Sequence, residues 1–170
     1  MHQSGVRADG LLRAAACAAG RHLGYRSEEL TPTRRGFETW VGYYWHGENY
    51  FTHVRDSDCD SPGVDFSNAS ASDRGSAVWP LGSDNGTYSA YIFAAEAQRV
   101  IRLHAREHSQ QALYLYVPMQ NVHAPIEVPA RFEALYDGAI QDPHRKTFAG
   151  MVSALVCTDF ECRLTTRWTD

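Results

Sequence analysis

Apolar residues recur with a helical period in the second half of the chain. They stand at spacings of three and four and predict one helix over about 88–108. Residues 112–117 then form a short apolar run without charge, which is typical of a buried strand and ends at Pro118. The residues that define the apolar face of the helix are Phe93, Ala97, Val100, Ile101 and His104.

Two further helices are predicted beyond this strand. Pro129 stands where helices often begin, so residues 130–136 are expected to form a short helix. A third helix is expected to start near Pro143 and to include Phe148, Met151, Val152 and Leu155. Because helix, buried strand and helix follow one another in this order, the sequence favours an α/β layered fold.

The first half of the chain is less regular. Residues 31–36 contain a proline and a glycine and predict a turn. Residues 37–51 are rich in Trp, Tyr and Phe and predict short extended segments. Residues 52–87 are dominated by Ser, Asp, Gly, Asn and Pro and predict a long surface loop. Residues 1–20 are rich in Ala and Arg and show no clear period.

Composition bounds the class of protein. The chain has 170 residues, enough for one modest domain, and a formal net charge of −4. It has no run of basic residues, so we predict no nucleic-acid partner. No stretch approaches the roughly 20 apolar residues that a membrane span needs. None of the four cysteines belongs to a Cys-x-x-Cys pair, so zinc-knuckle and thioredoxin sites have no support: Cys17, Cys59, Cys157 and Cys162.

Two glycosylation sequons favour the secretory pathway, with acceptors at Asn68 and Asn85. The N-terminus does not provide a convincing signal peptide. Its apolar stretch over 11–19 is interrupted by Arg13 and preceded by Asp9.

Histidine is the first candidate for chemistry, because neutral imidazole can take or give a proton near pH 7. His123 lies just beyond the predicted buried strand, where α/β folds place their ligands. His22 is a second candidate. His104 and His108 have the i, i+4 spacing of a metal pair but lack an acidic partner, so we interpret them as a solvated helix end.

An acidic triplet at Asp56, Asp58 and Asp60 has the alternation of a calcium loop. The EF-hand pattern then requires Gly at its sixth position and Glu at its twelfth, which here are Ser61 and Ser67. We therefore interpret the triplet as a solvated acidic loop.

Three separate stretches follow one another at plausible spacing: 22–43, which includes a Pro-Thr-Arg-Arg-Gly-Phe run, 113–129 and 148–155. Together they resemble the arylsulfatase B group of the sulfatase family. The Pro-Thr-Arg-Arg-Gly-Phe run is specific within that family. The resemblance covers most of this chain, but it corresponds to only an internal segment of the family's longer catalytic domain.

The resemblance implies a partial alkaline phosphatase-like fold, with a mixed sheet flanked by helices. It implies hydrolysis of sulfate esters, of the arylsulfatase or N-acetylgalactosamine-sulfatase type, with a sulfated glycan or an aryl sulfate as substrate. It also implies a lysosomal or secreted protein. Family members use a formylglycine nucleophile, made from the cysteine of Cys-x-Pro-x-Arg, and a calcium ion that polarises the sulfate oxygens.

Two catalytic residues carry over from the family to this chain. His22 matches the histidine of Gly-Lys-Trp-His-Leu-Gly and would orient or deprotonate the formylglycine hydrate. His123 matches the histidine of Val-His-x-Pro and would hydrogen-bond the sulfate and donate a proton to the departing alcohol. The family lysine is not secured, because its position holds Gly20, or Arg21 if one residue is deleted.

The chain also departs from the family. It contains no Cys-x-Pro-x-Arg, and the Cys-x-Ala-x-Arg at 17–21 adjoins His22 where the family's cysteine lies far upstream. Asp84-Asn85-Gly86 has the composition of family metal ligands but precedes the long helix, so we interpret it as a turn. Calcium ligands are therefore not identified.

These departures predict three parts: a non-family segment over 1–20, a partial sulfatase catalytic domain over 21–155, and a non-family tail over 156–170. The sharp edges suggest a misjoined gene model or a truncated splice product. Two hypotheses follow. The chain is either a sulfatase or a catalytically inert truncated fragment that acts at most as a secreted glycan-binding or interaction module.

Overall fold

The computed structural model describes residues 12–18, 24–54, 63–72, 79–80 and 85–158, with 12–18 and 79–80 described by their backbone alone. Five strands, β1 to β5, form one sheet, and three α-helices, α1 to α3, follow or interrupt them. The strands are β1 Leu12–Ala18, β2 Thr39–Gly42, β3 Ser67–Ser70, β4 Trp79–Pro80 and β5 Ala112–Tyr116. The helices are α1 Ser89–Glu107, α2 Ala130–Glu133 and α3 Pro143–Thr158.

The sheet is mixed, as predicted. Its strand order is β4-β3-β2-β1-β5. The strand β1 runs parallel to both β2 and β5, whereas β3 is antiparallel to its neighbours β2 and β4. Parallel strands need a crossover connection, and α1 lies in the crossover between β2 and β5. The α/β class is thereby confirmed.

Three strands were not predicted. The Ala- and Arg-rich segment over 1–20 contains β1, whose backbone pairs with two strands. The predicted surface loop over 52–87 contains β3 and β4. The partners of β1 and the β2 partner of β3 are distant in sequence, and no local period indicated any of the three strands. The three-part division of the chain stays a prediction.

The prediction of a buried strand at 112–117 was right in type and wrong in burial. The strand β5 is at one end of the strand order. Leu113 and Leu115 are half-buried, whereas Tyr114 and Tyr116 on the other face are 50% and 39% exposed. An uncharged apolar run does not distinguish a strand covered on both faces from one covered on a single face.

The long helix α1 confirms the predicted range to within one residue at each end. Its residues Phe93, Ala97 and Val100 are buried, as their spacing requires. Phe93 packs against Phe66, with ring centroids 5.5 Å apart, and joins Val41 in a cluster on the sheet. The helix therefore covers one face of the sheet.

The turn predicted at 31–36 is also confirmed. Pro32–Arg34 forms a short 3-10 helix, and Gly36 ends the turn with a φ of +101° that favours glycine. The Arg34 guanidinium pairs with the Glu28 carboxylate at its exposed edge. The turn leads directly into β2.

The two C-terminal helices are confirmed and pack on each other. A 3-10 turn over Ala134–Tyr136 extends α2, and Asp142 caps α3 by accepting a hydrogen bond from the Arg145 amide at 2.8 Å. A Cβ at Gly150 would lie 3.0 Å from Val128 Cγ1 and 3.2 Å from the Glu133 backbone nitrogen. Only glycine therefore lets α3 approach α2 this closely.

Candidate functional site

The segment 117–129, here called the histidine loop, leaves the carboxyl end of β5 and carries His123. The strands β1 and β5 are parallel neighbours, with Ala16 opposite Tyr116, so both end at the same edge of the sheet. Two peptide bonds in the loop are cis, Asn121–Val122 and Ala124–Pro125. Loops at this edge are where α/β sheets place functional groups, as the sequence analysis expected.

The Tyr50 side chain holds the loop from below. Its single hydroxyl proton is shared between the Gln120 carbonyl at 3.0 Å and the His123 carbonyl at 2.8 Å. Tyr50 is fully buried and its ring stacks on that of Tyr88, with centroids 5.1 Å apart. Burial raises the pKa of the Tyr50 phenol above its ordinary value, so the hydroxyl keeps the proton that it donates.

Three further side chains hold the ends of the loop. The Glu127 carboxylate accepts from Asn49 Nδ2 at 2.5 Å and from the Tyr50 backbone amide at 3.0 Å. The Tyr88 hydroxyl donates to the Glu127 carbonyl at 3.1 Å. Asn121 Nδ2 contacts the Tyr88 hydroxyl at 3.0 Å and the Met151 carbonyl at 2.9 Å, which connects the loop to α3.

Gln120 is buried beneath the loop with both ends of its amide bonded. Its Nε2 donates to the Glu48 carbonyl at 2.7 Å, and its Oε1 accepts from Ser89 Oγ at 2.6 Å. These bonds connect the loop to the turn after β2 and to the start of α1. The loop is therefore held by polar bonds to three elements.

His123 itself is exposed at the surface of the loop. Its Nδ1 lies 2.8 Å from the Ala124 carbonyl oxygen. Because a carbonyl oxygen only accepts, Nδ1 carries the proton in this contact. None of the hydrogen bonds among the described residues involves Nε2 of His123, so this nitrogen remains available to a ligand.

A buried acid lies below the loop at Glu48, which is 1% exposed. Both of its carboxylate oxygens lack a hydrogen-bond partner within the described part of the chain. Burial, and then the nearby charge of Asp65, raise the pKa of Glu48 to about 10. Asp65 accepts from the amides of Tyr44 and Trp45, at 3.1 Å and 2.7 Å for its Oδ2. Glu48 is therefore a neutral carboxylic acid at pH 7.

The structure describes some of the site residues predicted from the sequence and not others. His123 lies where the sequence placed it, whereas His22 lies outside the described residues, so their shared site stays a prediction. Asn68 is exposed but lies in β3, not in the turn-like loop expected, and Asn85 lies in an exposed turn. His104 is half-buried and not solvated as expected, because its Nε2 contacts the Gln111 carbonyl at 2.8 Å and its Nδ1 is buried. The side chains of the acidic triplet and of Cys17, Cys59, Cys162 and Asp84 lie outside the described residues, so the interpretations given to them remain predictions.

The supporting residues Tyr50, Gln120, Glu48 and Glu127 were not singled out from the sequence. One signal was present, because Glu48 is a carboxylate between aromatic residues in a stretch otherwise poor in charge. The other three act through the backbone of a segment some 70 residues away along the chain. No motif spacing reports such contacts.

The described residues do not fit a metal site. No group of three or more His, Cys, Asp or Glu side chains among them is placed to hold an ion. We therefore assign no metal-dependent step to these residues. Within the same residues, no helix combines the length and apolar character that crossing a bilayer demands.

Comparison with known proteins found a relative in sequence and two solved structures with a similar fold. No protein-family profile matches the chain. Arylsulfatase J of Mus musculus is 34% identical over 134 residues, which is 79% of this chain and 21% of the arylsulfatase. The chain therefore spans about a fifth of the length of that relative.

Two solved structures share the fold. They are two crystal structures of Ps i-CgsB, the second of them in complex with k-i-k-neocarrahexaose. Their TM-scores are 0.65 and 0.64 at 20% and 19% identity. Each similarity covers 87% of this chain and 32% of the solved one. The predicted sulfatase fold is thus confirmed for the part present.

Proposed function

Since this chain belongs with the sulfatases by sequence and fold, and spans a part of them, we propose that it recognises sulfate esters through the histidine loop. The observation that carries this proposal is the state of His123. Its Nδ1 is engaged by a backbone carbonyl while Nε2 remains available on an exposed, firmly held loop. This arrangement aims one ring nitrogen at a ligand.

The chemistry follows from the two ring nitrogens. When the imidazole carries two protons, Nδ1–H donates to the Ala124 carbonyl and Nε2–H donates to a sulfate oxygen. The same Nε2 proton is in position to pass to the departing alcohol oxygen of the ester. His123 is thus the sulfate-binding group and the proton donor of the proposed site.

His22 is the second residue of the proposed site. It follows the end of β1 by four positions in the sequence, and β1 ends beside β5 at the edge from which the histidine loop leaves. This adjacency supports a site shared with His123. Its proposed role is to orient or deprotonate the nucleophile, as in the family resemblance.

The proposed substrate is a sulfated glycan or an aryl sulfate. Arylsulfatase J carries the second class in its name, and Ps i-CgsB was solved with a carrageenan oligosaccharide, which is a sulfated sugar chain. Calcium belongs to the proposal only as a family property, because the described residues provide no ligand set for it.

A second candidate function is binding without hydrolysis, as an inert glycan-binding module. The specific observation in its favour is that these 170 residues contain no Cys-x-Pro-x-Arg. Hydrolysis requires a positioned nucleophile together with charge stabilisation, and histidines alone provide neither. For the isolated chain we therefore expect binding of sulfate esters without turnover.

We predict that His123→Ala weakens binding of N-acetylgalactosamine 4-sulfate about tenfold, because one charge-assisted hydrogen bond is lost. Isothermal titration of the two proteins measures this difference. His46→Ala, which removes another exposed imidazole, is the matched control and leaves the affinity unchanged. Equal affinities for wild type and His123→Ala would refute the proposed role of the loop.

The same proteins separate the two functions. Incubation with p-nitrocatechol sulfate and calcium is expected to give no turnover with the isolated chain. Turnover that disappears in His123→Ala would establish hydrolysis and eliminate the binding-only alternative.

We also propose that the protein enters the secretory pathway and is glycosylated at Asn68 and Asn85, both of which are exposed. When the chain is expressed in mammalian cells behind a signal peptide, endoglycosidase treatment is expected to lower its apparent mass on a gel by two steps. Asn68→Gln and Asn85→Gln should each remove one step. An unshifted band in the secreted wild type would contradict the assignment.

A further inference from the structure

A groove lies beside the histidine loop, between that loop and the start of α3. Its volume is about 440 Å³. Ile126 of the loop forms one wall, three residues after His123, so the groove begins within roughly 10 Å of the histidine along the chain. The groove is lined by Ile126, Ile140, His144, Arg145, Phe148 and Ala149.

The lining combines apolar side chains with the guanidinium of Arg145 at the rim. The Phe148 side chain is 43% exposed and Ile126 is 38% exposed, although both are large and apolar. Arg145 and His144 are exposed on the first turn of α3. Neither of these two basic side chains takes part in any ion pair among the described residues.

The neighbouring acids are already engaged elsewhere. The Asp142 carboxylate accepts from the Arg145 backbone amide at 2.8 Å, and Asp137 pairs with Lys146 at 3.1 Å. Glu127 is held by Asn49. The guanidinium of Arg145 forms no ion pair among the described residues and is thus left for an external anion.

We propose that this groove binds the sulfated sugar units that extend from the unit held at His123. This inference rests on the proposed function and names a second contact region of the same ligand. A planar guanidinium matches the oxygens of a sulfate with two parallel hydrogen bonds, and an aromatic ring packs against the apolar face of a sugar ring. A sulfated oligosaccharide presents both features on its successive units, whereas a neutral glycan presents no sulfate for the guanidinium.

The test compares a short and a long probe on the full chain. The short probe is N-acetylgalactosamine 4-sulfate, and the long probe is a chondroitin 4-sulfate hexasaccharide. Wild type is expected to bind the hexasaccharide at least tenfold more tightly. Arg145→Gln and Phe148→Ala are each expected to remove most of this gain while the affinity for the short probe stays unchanged.

Arg102→Gln is the matched control, because it removes an exposed guanidinium that does not line the groove. Short-probe affinity that is retained in every variant shows that each protein is folded and that the His123 site is intact. Hexasaccharide affinity unaffected by Arg145→Gln would overturn the groove proposal and leave the proposed function standing. If wild type binds neither probe, both proposals fail.

A second copy of the chain is the other occupant that an apolar groove could receive. Sedimentation of wild type would then show a dimer that Phe148→Ala dissociates in the absence of sugar. That result would also overturn the proposal.

Discussion

Glu48→Gln is expected to stabilise the protein by about 3 kcal/mol at pH 7 and by nothing measurable at pH 4. The reason is the proton that the folded chain holds on Glu48. In the unfolded chain this carboxyl ionises near its ordinary pKa of 4.5, whereas burial raises its pKa to about 10 in the folded chain. Glutamine has nearly the same shape and carries no proton to retain.

The sign of the pH dependence follows from this shift. Below pH 4.5 both states hold the proton, so Glu48 has no effect on the free energy of unfolding. Between 4.5 and about 10 the folded state binds the extra proton, so stability falls by about 1.4 kcal/mol for each pH unit of increase. The loss is complete once the pH passes the folded-state pKa.

Urea unfolding of wild type and Glu48→Gln at pH 4, 5.5, 7 and 8.5 measures this effect. The stability difference should widen steadily with pH. Glu29→Gln changes an exposed carboxyl and should stay within about 0.5 kcal/mol of wild type throughout. Parallel curves for wild type and Glu48→Gln would show that Glu48 is ionised in the folded protein.

Tyr50→Phe is expected to lower the free energy of unfolding by about 2 kcal/mol. The substitution removes only a hydroxyl, but that group donates to the carbonyls of Gln120 and His123. Both carbonyls then lose a donor, and the bond to the Gln120 carbonyl is lost in a buried place. Chemical denaturation measures the loss, and Tyr91→Phe is the control, because its hydroxyl accepts an exposed bond from Arg131.

Tyr50 also acts as a positioning residue for His123. In Tyr50→Phe the amide of His123, which donates to the Gln120 carbonyl at 2.9 Å, should exchange with deuterium faster than in wild type. The affinity for N-acetylgalactosamine 4-sulfate should fall about threefold. A variant that loses stability but keeps the exchange rate and affinity of wild type would assign Tyr50 a purely structural role.

The elements with local signals were predicted from the sequence. The spacing of Phe93, Ala97 and Val100 predicted α1, and Pro143 with the apolar residues after it predicted α3. His123 was identifiable because it follows a strand. These are properties of neighbours along the chain, so a single sequence reports them.

What the sequence did not show depends on distant contacts. The pairing of β1 with β2 and β5 has no local period, since its residues acquire partners only in the folded sheet. The same holds for Tyr50 and Gln120, which are unremarkable polar residues until the fold brings them together. The exposed face of β5 was missed because hydrophobicity reports that a strand is apolar and not which of its faces is covered.

Gly150 has a further consequence for the proposed site. At Gly150, α3 packs directly against the backbone of α2 and against the Val128 side chain of the histidine loop. The same helix provides residues that line the groove, so α3 contacts both the end of the loop and the groove. The two proposed sugar-contacting regions, at His123 and in the groove, would then be held at a fixed distance from each other. This fixed spacing would select among sulfated chains by the distance between successive sulfate groups.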